Sequence, residues 1–481
     1  MRIGVRWLFA VHRYAGIALC LLMLMWCLSG IVMMYVPYPS LPEPARLAGL
    51  APLDWRKCCV LPAGGPSSDF SVEMMHGRML LRGGSASIDL SMGKPIAAIS
   101  QADARAVAEG FARGNSIAAG QPAFETIEKD QWTVSGEFRP DRPLYRVSLG
   151  DAAGTQIYVS GASGRVVQGV MAAQRFWNYL GAVPHWLYFT QLRAQPALWT
   201  QTVIWTSLAG SLLVAIGLYL SIRQWWLARR TGRWSPYRDF TLWHHLPGLV
   251  FGLFLLSWIV SGLLSMNPWG LLEGDSGEAE AAALSGAPVP LAEIGRALHA
   301  ISQAPVDATV VSLASAPLDG HLYFVATRKD GSRLRLDSAG RPAPLTPAEI
   351  AAIARATVHD ATAPPARLAE GDDYYFAHGG EAPGLPVWRL IAPDGDRYYV
   401  DPVSGMLIAK LGSADRFYRW LFQGLHRLDF TAALRARPVW DIVMLALLLG
   451  ASSIAATGTY LSLRYLGARA VHTIPPTSRR S

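Results

Sequence analysis

Apolar residues crowd into four long runs, at 14–36, 194–222, 240–272 and 442–463, and none of the four contains Lys, Arg, Asp or Glu. Crossing a bilayer takes about 20 apolar residues in a helix. The pattern therefore predicts transmembrane helices near 8–36, 197–222, 241–266 and 439–463. The first run is too long for a secretory signal, lacks a small-residue cleavage site and carries His12 and Arg13 in its opening turns. Residues 1–36 then form the N-terminus and first span. Two long mixed segments, 37–196 and 267–438, follow the first and third spans. A short basic loop, 223–240, joins the second and third, and 464–481 is a tail.

Inside the mixed segments the period changes. Residues 99–111 and 345–356 read as helices opened by Ser or Thr with an acid nearby. Each leads into a hairpin pattern: 145–149 and 156–160 before Gly164, then 388–392 and 397–401 before Gly405. A further helix at 291–301 precedes strands at 321–327 and 333–337, with 76–82 and 87–90 as the counterpart strands. This predicts small α+β modules, two in each of two outer domains.

The chain also repeats itself. Displaced by 232 residues, the first span lies on the third: His12 on His244, Gly16 on Gly248, Trp26 on Trp258, Ser29 on Ser261 and Gly30 on Gly262. Displaced by 241, the later part of each half aligns: His185 on His426, Trp199 on Trp440, Gly217 on Gly458, Tyr219 on Tyr460 and Arg223 on Arg464. Each half is helix, outer domain, helix, in the same orientation. The expected fold is a membrane α-helical protein whose four transmembrane helices form two parallel repeats, with two outer α+β domains. This is a parallel repeat, not the inverted repeat of many transporters.

Composition agrees. Only 16% of residues are charged, against about 25% in soluble proteins, so soluble-enzyme and disordered classes start badly. Four Cys are too few for a disulfide framework. The formal charge is +8, and its location matters more than its size. Arg223, Arg229, Arg230, Arg233 and Arg238 fill the short loop, Arg464, Arg469, Arg479 and Arg480 follow the last span, and Arg2 and Arg6 precede the first. Basic residues in short connections mark the cytoplasmic side. Both termini are then expected in the cytoplasm and the long segments outside. These clusters set topology and meet anionic membrane lipids; no nucleic-acid partner is expected.

Ionisable residues in a membrane are costly and point to function. His12 and His244 lie one turn inside equivalent spans, while His185 and His426 precede the second and fourth. All four are carried by the repeat; His299, His359, His378 and His472 are not. One imidazole from each of two facing helices is how a haem iron is held between two histidines. The pairing expected is His12 with His244 and His185 with His426. Gly16 follows His12 by four residues and Gly30 by eighteen, so both return to its face; Gly248 and Gly262 repeat this. A residue without Cβ lets a flat ring approach the backbone. The alternatives are metal transport through the same pairs, or packing roles for the glycines and histidines. His245 is the rival ligand or a partner for a propionate. Arg13, Arg427, Arg223 and Arg464 are candidates to pair with propionates, or else membrane anchors.

Other chemistry is weak. Cys20 and Cys27 read as small apolar residues of a helix, and Cys58 with Cys59 as a vicinal pair open to redox chemistry. Asp372, Asp373, Tyr374 and Tyr375 form an acidic-aromatic patch read as a solvated loop. No Cys-x-x-Cys-His is present, which excludes covalent c-type haem, and no glycine-rich phosphate loop offers a flavin or nicotinamide site.

The residues that remain resemble a known family. The His-Arg-Tyr-Ala-Gly start at His12, Ser29-Gly30 in the same span, Leu425-His426-Arg427, and the Gly458-Thr459-Tyr460-Leu461 ending before Arg464 are similar to those of bacterial PepSY-associated transmembrane proteins. Trp186 after His185 and Pro247 before Gly248 depart from the pattern without removing a ligand. The resemblance covers nearly the whole chain. It implies PepSY-like periplasmic domains, location in the inner membrane, and kinship with iron-regulated membrane proteins and ferric-siderophore reductases carrying two b haems. His12, His244, His185 and His426 would ligate them, with no separate catalytic residue. The expected activity is haem-dependent oxidoreduction, taking electrons from a separate cytoplasmic donor such as a flavin reductase to a ferric siderophore or other ferric chelate in the periplasm. The alternative is a haem-free ligand-binding, regulatory or metal-transport protein. Oligomeric state is open.

Overall fold

The computed structural model describes residues 2–62, 66–67, 69–83, 86–96, 98–304, 307–358, 364–376 and 384–473. His359, His378, Arg479 and Arg480 lie outside them. The chain divides into two compact units. One comprises Met1–Tyr38, Phe176–Glu273 and Phe417–Ser481; the other comprises Pro39–Arg175 and Gly274–Arg416.

The first unit is built on four long helices: α1 (Arg2–Met33), α2 (Pro196–Arg229), α3 (Asp239–Ser265) and α4 (Val439–Thr473). All four are long and apolar enough to cross a membrane, as a multi-pass membrane protein requires. α1 packs on α4 and α2, and α3 packs on the same two helices. Their shared core holds Met23, Cys27, Leu255, Ile259, Met444 and Leu448. Small residues let the helices close up: a Cβ on Gly210 would stand 3.0 Å from Met23. Hydroxyls inside the core, such as Ser211, donate back to the carbonyl one turn earlier, at 2.8 Å, and so need no partner from lipid.

The helices outrun the apolar patterns that predicted them. The expected 197–222 continues to Arg229, and 439–463 to Thr473. The apolar run measures the thickness of hydrocarbon, while the helix persists into the polar zone. There arginines lie on aromatic rings, as Arg230 does over Trp226 at 3.5 Å. α1 ends at Met33, three residues short of the predicted 36.

The second unit corrects the expectation of two separate outer domains. Strands from both long segments join one seven-stranded antiparallel sheet, in the order Arg333–Leu336, Phe324–Arg328, Val310–Ser315, Phe70–Met75, Arg78–Gly83, Ala86–Asp89, Lys94–Ile96. The seam is the pairing of Val310–Ser315 with Phe70–Met75, where Ser312 faces Glu73. Phe70, Val72, Leu81, Leu298, Leu313 and Phe324 fill the core against the helix Leu291–Gln303. No periodicity along a chain reports which edge strands meet across 240 residues of sequence, so this seam was invisible to pattern reading.

Two smaller modules follow the expected helix-then-strands plan. The helices Gln101–Gly114 and Pro347–Thr357 open with capping boxes, Ser100 with Asp103 and Thr346 with Glu349. Each packs on a four-stranded sheet, 123–170 in one and 366–411 in the other. The hairpins Leu144–Ser148/Gln156–Ser160 and Val387–Ile391/Arg397–Val400 lie within a residue of the pattern. Gly164 and Gly405 follow them with φ of +69° and +79°, the left-handed region where glycine is preferred. The Asp372 patch is no solvated loop: its carboxylate accepts from Arg389 at 2.9 Å and from the Tyr399 hydroxyl at 3.0 Å.

Candidate functional site

The first unit brings the four repeat-matched histidines together as two facing pairs. His12 on α1 faces His244 on α3, with ring centroids 6.2 Å apart. His185 ends the short helix Ala182–His185 before α2, and His426 lies in the turn Leu425–Arg427 before α4. Their centroids are also 6.2 Å apart. Metal–imidazole bonds run roughly 2.0–2.1 Å. Two such bonds plus the reach from each nitrogen to its ring centre give a centroid separation of about 6 Å.

Each ring is turned the same way. Nδ1 of His12 donates to Leu213 O at 3.2 Å, and Nδ1 of His244 to Ile454 O at 3.1 Å and Thr457 Oγ1 at 3.2 Å. Nδ1 of His185 donates at 3.1 Å to both Trp26 O and Ser29 Oγ; Nδ1 of His426 does so to Trp258 O and Ser261 Oγ, also at 3.1 Å. Proton placement at Nδ1 follows from the carbonyl acceptors. It leaves Nε2 of every ring with its lone pair free, the state a metal ligand needs, oriented by a second shell.

Glycines seat the rings. A Cβ on Gly217 would lie 2.5 Å from His12 Cε1, and one on Gly458 would lie 3.3 Å from His244 Cε1. Gly30 and Gly262 stand against His185 and His426, at 3.5 Å by the same measure. Gly217 and Gly458 were visible as repeat matches, yet no role attached to them, because their histidines sit on other helices. Ser29 and Ser261 were missed as hydrogen-bond partners for the same reason.

Two cavities flank the pairs. The first, about 740 Å³, is lined by His12, His244, Arg13, Gly16 and Gly248. The second, about 460 Å³, is lined by His185, His426, Gly30, Gly262 and Arg427. Both fall in the roughly 300–1,000 Å³ range of small-molecule and cofactor sites. Met23 and Leu255 line both, as the wall between them. The indole nitrogen of Trp26, on the second cavity, is buried without a partner among the described residues. No group of three or more His, Cys, Asp or Glu that could hold a metal ion occurs among the described residues; the imidazoles come together in twos.

His245 is corrected. Its Nε2 donates to Ser221 O at 3.0 Å and its Nδ1 accepts from Ser235 Oγ at 2.9 Å. With both nitrogens used, it offers none to a metal. Arg13 lies 5.2 Å from the Tyr465 ring centre, and Arg427 donates to Gln423 at 3.0 Å. Both reach a cavity wall, whereas Arg223 and Arg464 are not among the described lining residues. Cys20 lines the first cavity and Cys27 the second. Cys58 and Cys59 are bonded to each other in the second unit. His76 pairs with Asp103 at 3.1 Å on the surface, and His299 and His321 are exposed.

The PepSY-associated TM region matches residues 9–464 of the chain. A comparison with curated proteins finds no match.

Proposed function

The chain belongs to the PepSY-associated TM family, and from that premise we propose that it is a two-haem electron-transfer protein of a bacterial inner membrane. The observation that carries the reading is the twofold recurrence of one arrangement: facing imidazoles 6.2 Å apart, each with Nδ1 on a backbone carbonyl, on the wall of a cofactor-sized cavity. The equivalence of the two halves supports the reading of the chain as a parallel duplication.

Non-covalent b haems held there supply one-electron carriers at two depths of the bilayer, with properties set by axial ligands and their hydrogen bonds. His12 and His244 hold one, His185 and His426 the other. The four carbonyl contacts fix tautomer and ring direction. Gly16 and Gly248 leave the first cavity open beside the histidines, and Arg13 and Arg427 supply charge for carboxylates at the two rims. Met23 and Leu255 divide the cavities with apolar side chains that exclude water.

Arginines of 223–238 and of the C-terminal segment put the His12–His244 end in the cytoplasm by the positive-inside bias, and the sheet-bearing unit in the periplasm. The donor is a separate cytoplasmic reductase. The acceptor is a ferric siderophore or other ferric chelate: one electron converts Fe(III) to Fe(II), which binds hard oxygen donors less well and is released. Proteoliposomes with internal reductant and external ferric citrate test this, read by a ferrous-iron dye outside. Ferrous iron should form with the wild type and fail to form with His185→Ala. A reduced, haem-loaded protein that ferric citrate does not reoxidise overturns the acceptor.

A further inference from the structure

Charge is divided unevenly along this chain. Residues 1–13 hold three arginines and no acid, the loop 223–240 holds five arginines against Asp239 alone, and 464–481 holds four arginines and no acid. Together these three segments exceed the +8 of the whole chain, so the rest of it is net acidic. Positive-inside sorting accounts for the arginines but not for the missing acids, because Asp and Glu contribute little to orientation. A face kept clear of carboxylates does something that sorting does not require. It holds a net positive potential over the end of the helix bundle that carries His12 and His244.

These charges are uncompensated and stand in water. Arg229 lies over the Trp234 ring at 4.6 Å and Arg230 over Trp226 at 3.5 Å, and a ring leaves the positive charge in place. Neither they nor Arg233 form an ion pair among the described residues, and all three are exposed. Helix α2 reaches Arg229, seven residues past Ile222 where its apolar run ends. Helix α4 carries Arg469 six residues past Leu463. At 1.5 Å per residue these are rises of about 10 Å and about 9 Å. A headgroup layer is about 5–8 Å deep, so both helix ends clear it and the turn Arg229–Arg233 lies within reach of a soluble protein. Below these ends the same helices line the first cavity, with Leu220 and Ser221 on α2 and Leu461 and Ser462 on α4.

We propose that this face docks an acidic soluble protein that carries single electrons, held through Arg229, Arg230 and Arg233. The inference rests on the electron-transfer reading above and adds to it the chemistry of the donor. That partner gives up one electron per encounter, and no bond forms or breaks. Docking itself is electrostatic and needs no haem, so it is read separately from reduction. Anionic lipid is the competing occupant, but its phosphates stop at the headgroup layer, short of this turn.

The test uses the full chain in nanodiscs of neutral phosphatidylcholine, with an acidic plant-type ferredoxin as probe and the basic cytochrome c as its charge-reversed control. Surface plasmon resonance reads association. Ferredoxin should bind and cytochrome c should not. Raising salt from about 0.01 M to about 0.15 M shortens the screening length from roughly 30 Å to roughly 8 Å and should slow association at least tenfold. Replacing Arg229, Arg230 and Arg233 together by Gln should do the same at low salt, and leave the visible spectrum and reduction by dithionite unchanged. If that triple variant fails to insert, Arg233→Glu on the exposed turn decides. Ferredoxin that fails to bind, binds independently of salt, or binds the variants like the wild type overturns the proposal. Phosphatidylglycerol lost from the variants in native mass spectra, with ferredoxin binding unchanged, assigns the arginines to lipid and overturns it too. Salt-dependent ferredoxin binding to a chain that carries no haem supports the docking face and sinks the two-haem reading instead.

Discussion

Gly217→Ala tests whether the histidines are placed by their glycine seats. The added Cβ would meet His12 Cε1 at 2.5 Å, Nδ1 at 3.1 Å and Nε2 at 3.3 Å. Carbon atoms in contact prefer about 3.5–4.0 Å, so the ring has to move by about 1 Å. It is tethered by a 3.2 Å hydrogen bond to Leu213 O, and the movement breaks that bond or carries Nε2 off the line to His244. Losing such an orienting contact costs roughly 10–100-fold in metal affinity. Gly262 is the control, because its Cβ would meet His426 at an ordinary 3.5 Å. Helix propensity acts in the opposite direction: Ala is favoured over Gly by about 1 kcal/mol in a helix interior. The assay is the rate of haem transfer to excess apomyoglobin, together with haem per chain after purification. Gly217→Ala should lose one haem of two at least tenfold faster, and Gly262→Ala should behave as wild type. Equal retention in both variants, or equal loss, refutes the seating argument.

His185→Ala and His426→Ala should each remove the same haem and leave the other; both haems intact in either variant rejects the pairing. His245→Ala should keep the haem that His244→Ala loses, by the same spectrum, and the reverse result would reinstate His245 as ligand. Glu73→Gln leaves the buried Arg82 and the part-exposed Arg165 without their anion, while Arg46 keeps Glu43, and leaving a buried charge unpaired costs about 3 kcal/mol; an unchanged melting temperature would count against it. The Glu73 carboxyl is held at about 2 against an ordinary 4.5. Its stabilisation is therefore full above about pH 4.5 and lost as pH falls toward 2. An acid titration followed by tryptophan fluorescence should show that loss in the wild type and not in Glu73→Gln.

What the sequence made legible follows from the kind of signal each feature leaves. Membrane helices depend on a local apolar run, and all four stood out. The histidine pairs could be matched because a 232- or 241-residue displacement carried them, and the fold brings the same four rings together in two pairs, each with centroids 6.2 Å apart. Gly217 and Gly458 showed in the same alignment, but which ring each supports depends on helix neighbours that no periodicity states. His245 looked equivalent to a ligand one residue on. Its partners, Ser221 on α2 and Ser235 in the basic loop, become neighbours only once the helices are packed. The seam joining Ser312 to Glu73 is long-range strand pairing, and the Arg46–Arg82–Arg165 cluster depends on it. Lone arginines scattered over 120 residues give no sign of a common carboxylate.

The central claim is that this chain holds two haems, each between two of these histidines. Its most direct test is pyridine haemochrome quantitation on protein purified from haem-supplied cells, with oxidised and dithionite-reduced visible spectra. The account predicts two b haems per chain with low-spin, bis-imidazole spectra. A preparation with no haem would contradict it outright, and one haem per chain would break the equivalence of the two sites.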